Sequence, residues 1–599
     1  MVARQLICLL PLILATGVYL VHVDGPFIYD DLPYIVDNED LRQLWPPDWL
    51  RPADGEHGQV NGRPLLSLTL ALNYRFGGLE VRGYHLLNAL LHGCCAMALY
   101  GVLFQIWRRV ETLAQRAEVL ALCGALLWAL HPLNSEVVYY VSQRSATLMG
   151  TFYLLTLYCF LRGLQGHRFW MITALFCCGL GMAAKEVMVS APVAVLLCER
   201  ALAGGSVWLV LRQRLWFYGG LSATWLVLLY GLWSRPHGTA IGFGLGVDVW
   251  TYLLNQCMVI VNYLTRIFWP HPLILDYGLA MPLAIGDVWW QGMLILLGLG
   301  ASGLALVRRP LWGWAGLGFF MLLAPTSSFV PNITEVGAER RMYMPLMIAV
   351  AAWILIADGV FRHFRLRAWQ VCTLFLLVVG LLGWVTIRRG ADYRSPVSIW
   401  QTAVTARPLN GRGHLNLGSA MQETGDLAGA TLHYRRALAL NPAMEEGYYN
   451  LGIVLQMQGD GQAAEEHYLR ALAIKPDQAK ALHNLGQIRK SQGDWQAAES
   501  NYRRAIALDP DMDGAWSSLG KLFFAQQRLD SALVYFRHAI VLDPNLPEAY
   551  NSLGTVLALH GQYAEALIEY RRALEIDPEY QRARDNMQLA REALVGKSN

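Results

Sequence analysis

Two adjacent carboxylates close to the start of the chain are suited to acid–base chemistry. Asp30 and Asp31 follow the first apolar stretch and precede a polar segment that contains Asp37 and Asn38. Adjacent carboxylates beside a membrane surface are costly unless they are used, paired or hydrated. On its own, such a pair is more often a solvated loop or a helix cap. In this position, however, a carboxylate could act as the general base on an acceptor hydroxyl, with a donor phosphate at the bilayer surface.

Cationic side chains lie at the ends of several apolar stretches, where they could bind a phosphate and stabilise it as it departs. Those that we assign to phosphate binding are Arg144, Lys185, Arg340, Arg341 and His131. Supporting charged residues stand next to them or at a similar break, namely Glu136, Glu186, Glu339 and Arg63. The simpler interpretation is that the cations only pair with these acids. The two interpretations are compatible, because an ion pair can also orient a cation toward a ligand.

Three polar side chains on one predicted helix could bind a metal, but no nearby carboxylate completes the set. His85, Asn88 and His92 are spaced i, i+3 and i+7, which places them on one helical face. Hydrogen bonding between helices is therefore the better interpretation. The ten cysteines lie mostly inside apolar runs, so we predict neither a disulfide framework nor a zinc site. We predict no metal and no cofactor, with a divalent ion left open as an alternative.

The chain that positions these residues divides into two parts by composition. Of its 599 residues, 55% are hydrophobic and 16% are charged, whereas a soluble protein carries about 25% charged residues. Much of the chain must therefore face lipid. The net charge of +3 gives no case for nucleic-acid binding. The composition changes abruptly near residue 390, so we predict a multi-span membrane domain over 1–390, with a first outer loop at about 23–83.

About eleven apolar stretches of this domain come close to the roughly 20 residues that a membrane span needs. They are 5–22, 85–107, 117–134, 146–163, 168–184, 187–203, 215–233, 288–307, 311–326, 342–358 and 368–387. A further stretch, 249–268, is ambiguous. The arginine-rich breaks all fall on one side of the membrane only if 249–268 enters without crossing. We therefore predict an N-terminus inside, a C-terminal domain outside, and a first stretch that is a span rather than a cleaved signal peptide.

The last third of the chain repeats itself every 34 residues. A Leu-Gly pair recurs with this step, at Leu417-Gly418, Leu451-Gly452, Leu485-Gly486, Leu519-Gly520 and Leu553-Gly554. A proline keeps the same step from Pro408 to Pro578, and a small residue does so from Ala437 to Ala573. This period and pattern indicate tetratricopeptide (TPR) repeats. We predict a half repeat or linker at 391–410, five TPRs over 411–580, and a capping helix with a tail at 581–599.

One polar position per repeat predicts a surface for an extended peptide. Two residues before each repeated glycine stand Asn416, Asn450, Asn484, Ser518 and Ser552. Because an Asn side chain offers a donor and an acceptor, such a ladder can hold a peptide backbone without reading its side chains. The alternative is that each Asn bonds only within its own repeat. The ladder resembles the asparagine ladder in the TPRs of the cytosolic O-GlcNAc transferase family.

Several short motifs occur in one order along the chain. They are Tyr29-Asp30-Asp31 with Ile35 and Asn38, Arg63-Pro64-Leu65 with Leu72-Asn73-Tyr74, Tyr84-His85-Leu86 with Asn88 and His92, His131-Pro132 with Ser135-Glu136, Lys185-Glu186, and Ala338-Glu339-Arg340. Individually these motifs are unspecific. In this order, and followed by TPRs, they make the chain resemble the transmembrane-and-TPR protein O-mannosyltransferase family and its bacterial relatives, of the GT-C type. The fold class expected is all-α, a polytopic helical domain followed by a TPR solenoid.

The resemblance implies an inverting transfer of a sugar, mannose or another hexose, from a polyprenyl or dolichyl phosphate to a Ser or Thr hydroxyl. It also implies that Asp30 or Asp31 is the base, and we favour Asp30. The partners expected are the lipid-linked donor, the membrane lipid and an acceptor polypeptide held by the TPRs. The protein would lie in a bacterial cytoplasmic membrane or in the endoplasmic reticulum, with its active site and TPRs on the extracytoplasmic face.

Two other functions fit part of the pattern. A non-catalytic, membrane-anchored TPR scaffold that recruits envelope or secretory proteins explains the repeats, but it needs neither the Asp30-Asp31 pair nor the cations. A lipid-sugar transporter should carry charge near the bilayer midplane. The charged residues of this chain lie mostly at the ends of apolar runs, which argues against a transporter.

Overall fold

The chain forms two helical units in a computed structural model that describes residues 2–45, 62–204, 206–233, 247–328, 330–332 and 335–598. The first unit is Met1–Gly413 and the second is His414–Asn599. The predicted all-α fold is confirmed in the described residues. Part of the predicted outer loop, residues 46–61, lies outside them.

The helices of the first unit follow the apolar stretches of the sequence. They are α1 (Val2–Tyr19), α2 (Pro64–Gly77), α3 (Val81–Trp107), α4 (Ala117–Ala129), α5 (Ser135–Tyr139), α6 (Arg144–Gly163), α7 (Arg168–Met182), α8 (Ala191–Ala203), α9 (Val207–Gln213), α10 (Leu215–Ala223), α11 (Trp225–Trp233), α12 (Val249–Phe268), α13 (Ile285–Arg308), α14 (Pro310–Leu323), α15 (Pro345–His363), α16 (Ala368–Gly390) and α17 (Pro396–Ala406). Each predicted apolar stretch therefore coincides with at least one helix.

Fewer helices than predicted stretches are long and apolar enough to cross a membrane unaided. Among the described residues there are five, namely α3, α10 with α11, α13, α15 and α16, or up to seven if each of two bent helix pairs is one span. Shorter apolar helices include α7, α14 and most of α1. Helix α12, the ambiguous stretch, is not among the five. These helices are those of an integral membrane protein, while the count of eleven spans stays a prediction.

A proline breaks the first unit's helices between α4 and α5. Because a residue before proline is driven out of the helical region, His131 adopts extended angles ahead of Pro132 and ends α4. The chain resumes in a short helical turn and then in α5, bent by 55° from α4. Because of this break, Glu136 and Tyr140 do not lie in a continuous span. They contact Arg340 and Asp30, respectively, and we call the polar residues around these contacts the polar layer.

The second unit, together with Gly411–Gly413 at the end of the first, consists of paired antiparallel helices with a 34-residue period. They are α18 (Gly411–Glu423), α19 (Leu427–Leu440), α20 (Glu445–Met457), α21 (Gly461–Ile474), α22 (Ala479–Ser491), α23 (Trp495–Leu508), α24 (Asp513–Ala525), α25 (Leu529–Leu542), α26 (Pro547–Leu559), α27 (Tyr563–Ile576) and α28 (Gln581–Ser598). The first ten form five pairs, and α28 occupies the predicted capping segment. The segment predicted as a half repeat contains the single helix α17.

Each repeated glycine lies against an aromatic ring of the second helix of its pair. A Cβ on Gly452 would lie 2.6 Å from the ring of Tyr468, and one on Gly486 would lie 2.6 Å from the ring of Tyr502. The remaining pairs repeat this contact, with Phe536 in the fourth. The glycine is therefore required by close helix packing.

Candidate active site

The Asp30-Asp31 pair lies in a tight turn between α1 and α2 with an unusual backbone. Tyr29 has a positive φ of 49°, which is a strained conformation for a bulky residue. The turn is closed by the bond from the Asp31 N–H to the Ile28 carbonyl at 2.9 Å. A single π-helical turn, Leu32–Val36, follows directly. Strained angles and π-helical turns are both frequent at functional sites.

Asp31 is used by the fold itself. Its side chain is fully buried, and its carboxylate accepts the backbone N–H groups of Ile28 at 3.3 Å, Val141 at 3.3 Å and Ser142 at 2.7 Å. Burial raises the pKa of Asp31 to about 7, although these bonds oppose the shift. Asp31 thus connects the turn to the segment that precedes α6, which leaves its carboxylate little freedom to accept a substrate proton.

Asp30 has the opposite character. Its side chain is only partly buried, while its backbone N–H donates to the hydroxyl of Tyr140 at 3.0 Å. Burial raises the pKa of Asp30, and Tyr140 and the charge of Arg340 oppose that rise. The side chain therefore remains accessible in a polar layer, with a cation near enough to interact. These properties suit a general base.

Lys185 and Arg63 lie in the same polar layer. The Nζ of Lys185 donates to Gln143 Oε1 at 3.5 Å, and Arg63 forms a forked contact with the carboxylate of Glu186 at 3.3 and 3.1 Å. Burial, and then the charge of Arg63, lower the pKa of Lys185 to about 7. Arg340 lowers the pKa of Lys185 further, so Lys185 interacts with both arginines. The structure therefore brings together two predicted phosphate ligands, Lys185 and Arg340, and the supporting residue Arg63.

Arg340 is held by two carboxylates from opposite sides. The backbone N–H of Arg340 donates to Glu136 Oε2 at 2.8 Å. The guanidinium contacts Glu136 Oε1 and, at 2.6 Å, Glu335 Oε2. Glu136 is fully buried. Sequence reasoning predicted a supporting role for Glu136 but missed Glu335. The only sequence signal for Glu335 is its position in a polar break, five residues before Arg340. The two acids fix Arg340 in position and offset much of its charge.

Three other predicted phosphate ligands are occupied by the protein's own groups. The fully buried guanidinium of Arg144 donates to Asn88 Oδ1 at 2.7 Å and to two backbone carbonyls, both at 3.1 Å. Arg341 donates to the Glu335 carbonyl at 2.9 Å and to neighbouring oxygens. Buried His131 bridges the Ile267 carbonyl and the Leu133 N–H. These side chains stabilise loops and helix ends, so we leave them out of the proposed phosphate site.

Glu339 supports the loop that carries Arg340. Its fully buried carboxylate accepts the Ile274 N–H and, at 3.4 Å, the Tyr277 hydroxyl. Arg389 lies 3.9 Å away. Burial raises the pKa of Glu339 to about 8, and the charge of Arg389 opposes this. These contacts hold the loop in place, and a supporting role for Glu339 in catalysis stays a prediction.

The histidine and asparagine side chains of α3 connect separate segments. His85 reaches the Gly25 carbonyl at 2.9 Å, Asn88 donates to the Val138 carbonyl at 3.2 Å, and His92 bonds to the Tyr343 hydroxyl and the Ala129 carbonyl, both at 2.9 Å. Asn88 and His92 therefore bond to other helices, α5 and α4, as predicted, whereas His85 bonds to a loop. In the described ranges, no group of three or more His, Cys, Asp or Glu side chains is arranged to hold a metal ion.

The segment before the repeats also borders the Asp30 turn. Arg412 donates to Asp276 Oδ2 at 2.8 Å, and Asn410 donates to the same oxygen at 3.2 Å. The ring of Trp400 lies 5.3 Å from that of Tyr29, and Arg412 interacts electrostatically with Asp30. Sequence reasoning missed this role because it interpreted 391–410 as a half repeat or linker and placed Arg412 in the first TPR. A cationic residue directly after a proline-containing linker was the only available signal.

In the second unit, the predicted ladder lies on the first helix of each pair. Asn416, Asn450 and Asn484 are partly exposed, and Asn484 donates weakly to Tyr468 at 3.4 Å. The two serines are engaged internally: Ser518 bonds to His483 at 2.9 Å and Ser552 to its own helix at 2.8 Å. The Nδ2 of Asn416 is itself buried and Asn484 bonds to Tyr468, so these contacts do not favour the asparagines over the serines. Peptide binding stays a prediction.

Comparisons with known proteins define first the class of the second unit. Models described as tetratricopeptide repeat match residues 444–511, 483–547 and 547–580, and one described as TPR repeat matches 418–459. The second unit is a TPR array. Among solved structures, "YrrB: a TPR protein with an unusual peptide-binding site" is 20% identical, covers 32% of this chain and 99% of that one, and has a TM-score of 0.28. At that TM-score the likeness adds nothing to the assignment.

Relatives that match about 70% of the chain carry one family name. The mouse protein O-mannosyl-transferase TMTC4 is 28% identical over 69% of this chain and 63% of its own length. The Drosophila melanogaster protein O-mannosyl-transferase Tmtc1 is 26% identical over 71% of this chain and 60% of its own. The chain thus spans about three-fifths of the length of the curated relatives it matches. The resemblance to the transmembrane-and-TPR protein O-mannosyltransferases is confirmed.

Proposed function

We propose that this protein is a GT-C-type glycosyltransferase that moves a hexose, mannose in the first instance, from a polyprenyl-phosphate donor to a Ser or Thr hydroxyl of a polypeptide. The relatives' names support protein O-glycosylation. The active site is the polar layer around Asp30, at the extracytoplasmic surface of a bacterial cytoplasmic membrane or of the endoplasmic reticulum. The observation that carries the proposal is the division of the carboxylate pair, with Asp31 buried in backbone bonds and Asp30 left accessible beside cations.

In this reaction Asp30 takes the proton from the acceptor hydroxyl. The hydroxyl oxygen forms a bond to the anomeric carbon of the sugar while the bond from that carbon to the phosphate oxygen breaks. The electron pair leaves with the lipid phosphate. A single displacement of this kind inverts the anomeric configuration. The raised pKa of Asp30 makes its carboxylate a better base than an exposed aspartate.

The departing phosphate needs positive charge, which Lys185 supplies best. Its hydrogen bond to Gln143 is long, at 3.5 Å, so the ammonium can turn toward an anion. Arg63 is paired with Glu186 and Arg340 with Glu136 and Glu335. These arginines therefore set the local field and hold the loops, while Lys185 contacts the phosphate. An anion beside Lys185 also offsets the cost of charging a buried amine.

The TPR array binds the acceptor polypeptide. Asn416, Asn450 and Asn484 recur with the repeat period, and a side-chain amide can pair with the N–H and C=O groups of an extended backbone. Recognition of a backbone suits an enzyme that modifies many sequences. Only the first three repeats carry asparagine, which offers both a donor and an acceptor, so these repeats supply most of the binding.

The test is transfer in vitro by the purified full chain with a synthetic polyprenyl-phosphate mannose and a Ser/Thr peptide. We expect Asp30→Asn to abolish transfer. The matched control is Asp37→Asn, which alters an exposed aspartate of the same loop and should transfer at the wild-type rate. Full activity of Asp30→Asn, and of the Asp30→Asn/Asp31→Asn double variant, would show that the base is assigned wrongly. Absence of transfer by wild type, with acceptor binding retained, would favour the scaffold.

A further inference from the structure

The first unit contains an elongated apolar cavity that is separate from the polar layer around Asp30. Its volume is about 580 Å³, within the range of about 300–1,000 Å³ that is usual for small-molecule sites. Helices α3, α6, α8, α14 and α15 all contribute to its wall. Apart from its charged end, the lining is aliphatic, methionine-rich and aromatic. Such a wall suits a hydrocarbon chain and offers few partners to a sugar or a peptide.

The lining residues show that the cavity runs along the helix axes. On α15 they include Met347, Ala351, Leu355, Asp358 and Arg362, which share one helical face. At 1.5 Å per residue, this face extends for about 22 Å, a large part of the roughly 30 Å of a bilayer core. On α3 the lining likewise follows one face, from Leu99 to Trp107. The cavity is therefore shaped for an extended chain.

The charged end of this cavity lies away from the candidate active site. Helix α15 (Pro345–His363) begins shortly after Arg340. Helix α3 (Val81–Trp107) carries His85 in its first two turns, where His85 bonds to the Gly25 carbonyl close to the Asp30 turn. Both helices therefore start near the polar layer and end beside the charged residues of the cavity. Those residues are Arg309, Asp358 and Arg362, with Trp312 next to them. Tryptophan and arginine are typical of a membrane interface.

The charge at this end favours an anion. Asp358 is already neutralised by Arg116, and by Arg362 at 3.0 Å. Arg309 is exposed at the start of α14 and lines the same opening. One carboxylate thus stands against three guanidinium groups. An uncharged or zwitterionic headgroup would leave this excess of positive charge unmatched.

We propose that this cavity binds the acyl chain of an anionic phospholipid whose headgroup lies at Arg309 and Arg362. The donor phosphate does not lie at this charged end, because it has to reach Asp30 and Lys185 near the opposite ends of α3 and α15. Acidic phospholipids of the leaflet beside Arg309 match both the length of the cavity and its charge. The bound lipid would fill the space between α3, α6, α14 and α15 and stabilise the bundle.

The test uses the full chain purified in mild detergent, with retained lipids identified by mass spectrometry and with Tm measured after addition of phosphatidylglycerol or phosphatidylcholine. We expect phosphatidylglycerol to be retained and to raise Tm, and phosphatidylcholine to do neither. Arg309→Gln should weaken the binding of phosphatidylglycerol about fivefold. Arg308→Gln is the matched control, since Arg308 is exposed and adjacent but does not line the cavity.

A second variant tests the cavity itself. Ala351→Phe fills the wall of α15 and should abolish lipid retention, whereas Ala357→Phe on the same helix, outside the lining, should not. Equal retention by both phenylalanine variants would overturn the proposal. So would an equal Tm response to the two phospholipids. Recovery of a polyprenyl phosphate that is lost only in Ala351→Phe would assign the cavity to the donor instead.

Discussion

The pH dependence of donor binding should be set by Lys185. Burial, and then Arg63, move its pKa from 10.5 to about 7, which corresponds to about 5 kcal/mol disfavouring the charged amine. A phosphate beside the ammonium favours the charged form, so donor binding takes up a proton. Affinity for the donor is therefore full below pH 7 and falls as pH rises above it.

The size of the effect follows from the charged fraction. With a pKa of about 7, roughly half of the free enzyme carries a charged Lys185 at pH 7 and about one part in eleven does at pH 8. If only the charged form binds, the donor KM at pH 8 should be about fivefold that at pH 7. A polyprenyl-phosphate sugar is a phosphodiester without a second ionisation near neutrality, so the change belongs to the protein. Arg63, Glu186, Arg340 and Glu136 are the charged groups that interact with Lys185.

Initial rates with the purified chain, at several donor concentrations between pH 6 and 9, measure this dependence. Lys185→Arg is the informative variant, because a guanidinium stays charged over the whole range. The KM of this variant for the donor should differ from that of wild type at every pH, but it should be the same at pH 7 and pH 8. Its KM for the peptide should equal that of wild type. A KM that rises equally in wild type and in Lys185→Arg would refute the assignment and point to another titrating group.

Three further outcomes follow from the structure. Asp31→Asn should lower the free energy of unfolding by about 2–3 kcal/mol, because an amide cannot accept all three backbone N–H groups, and a Tm equal to that of Asp30→Asn would contradict the division of roles. Gly452→Ala should destabilise the TPR array by about 1–3 kcal/mol, because its Cβ would lie 2.6 Å from Tyr468; an unchanged urea midpoint would count against this packing. Replacing Asn416, Asn450 and Asn484 together with Ala should weaken peptide binding and spare hydrolysis of the donor, and equal loss of both would argue against a separate acceptor surface.

The TPR array was predictable because its structure is local. Each pair of helices contacts its neighbours in the chain, so the Leu-Gly step of 34 residues and the ring opposite each glycine are visible in the sequence. The spans were less predictable. A hydropathy window over 117–134 cannot register the bend of 55° at Pro132, since the apolar residues continue on both sides of the break.

The roles within the active site depended on contacts that the sequence does not show. Asp30 and Asp31 are identical in type, and only the backbone at Val141 and Ser142 distinguishes them. Arg144 and Lys185 looked equivalent as cations at the ends of apolar stretches. Arg144 proves to be bonded to two carbonyls of other segments, whereas Lys185 is held by one long contact. These differences arise from partners more than 40 residues away in the chain.

The central claim is that Asp30 is the base of a protein O-glycosyltransferase. Its most direct test is peptide mass spectrometry of extracytoplasmic proteins from cells that express wild type or Asp30→Asn at equal levels. We predict that hexose-sized additions on Ser and Thr peptides disappear in the variant, while the protein remains folded and inserted. An unchanged glycan profile, with the TPR array still binding its partners, would contradict the account and favour a membrane-anchored scaffold.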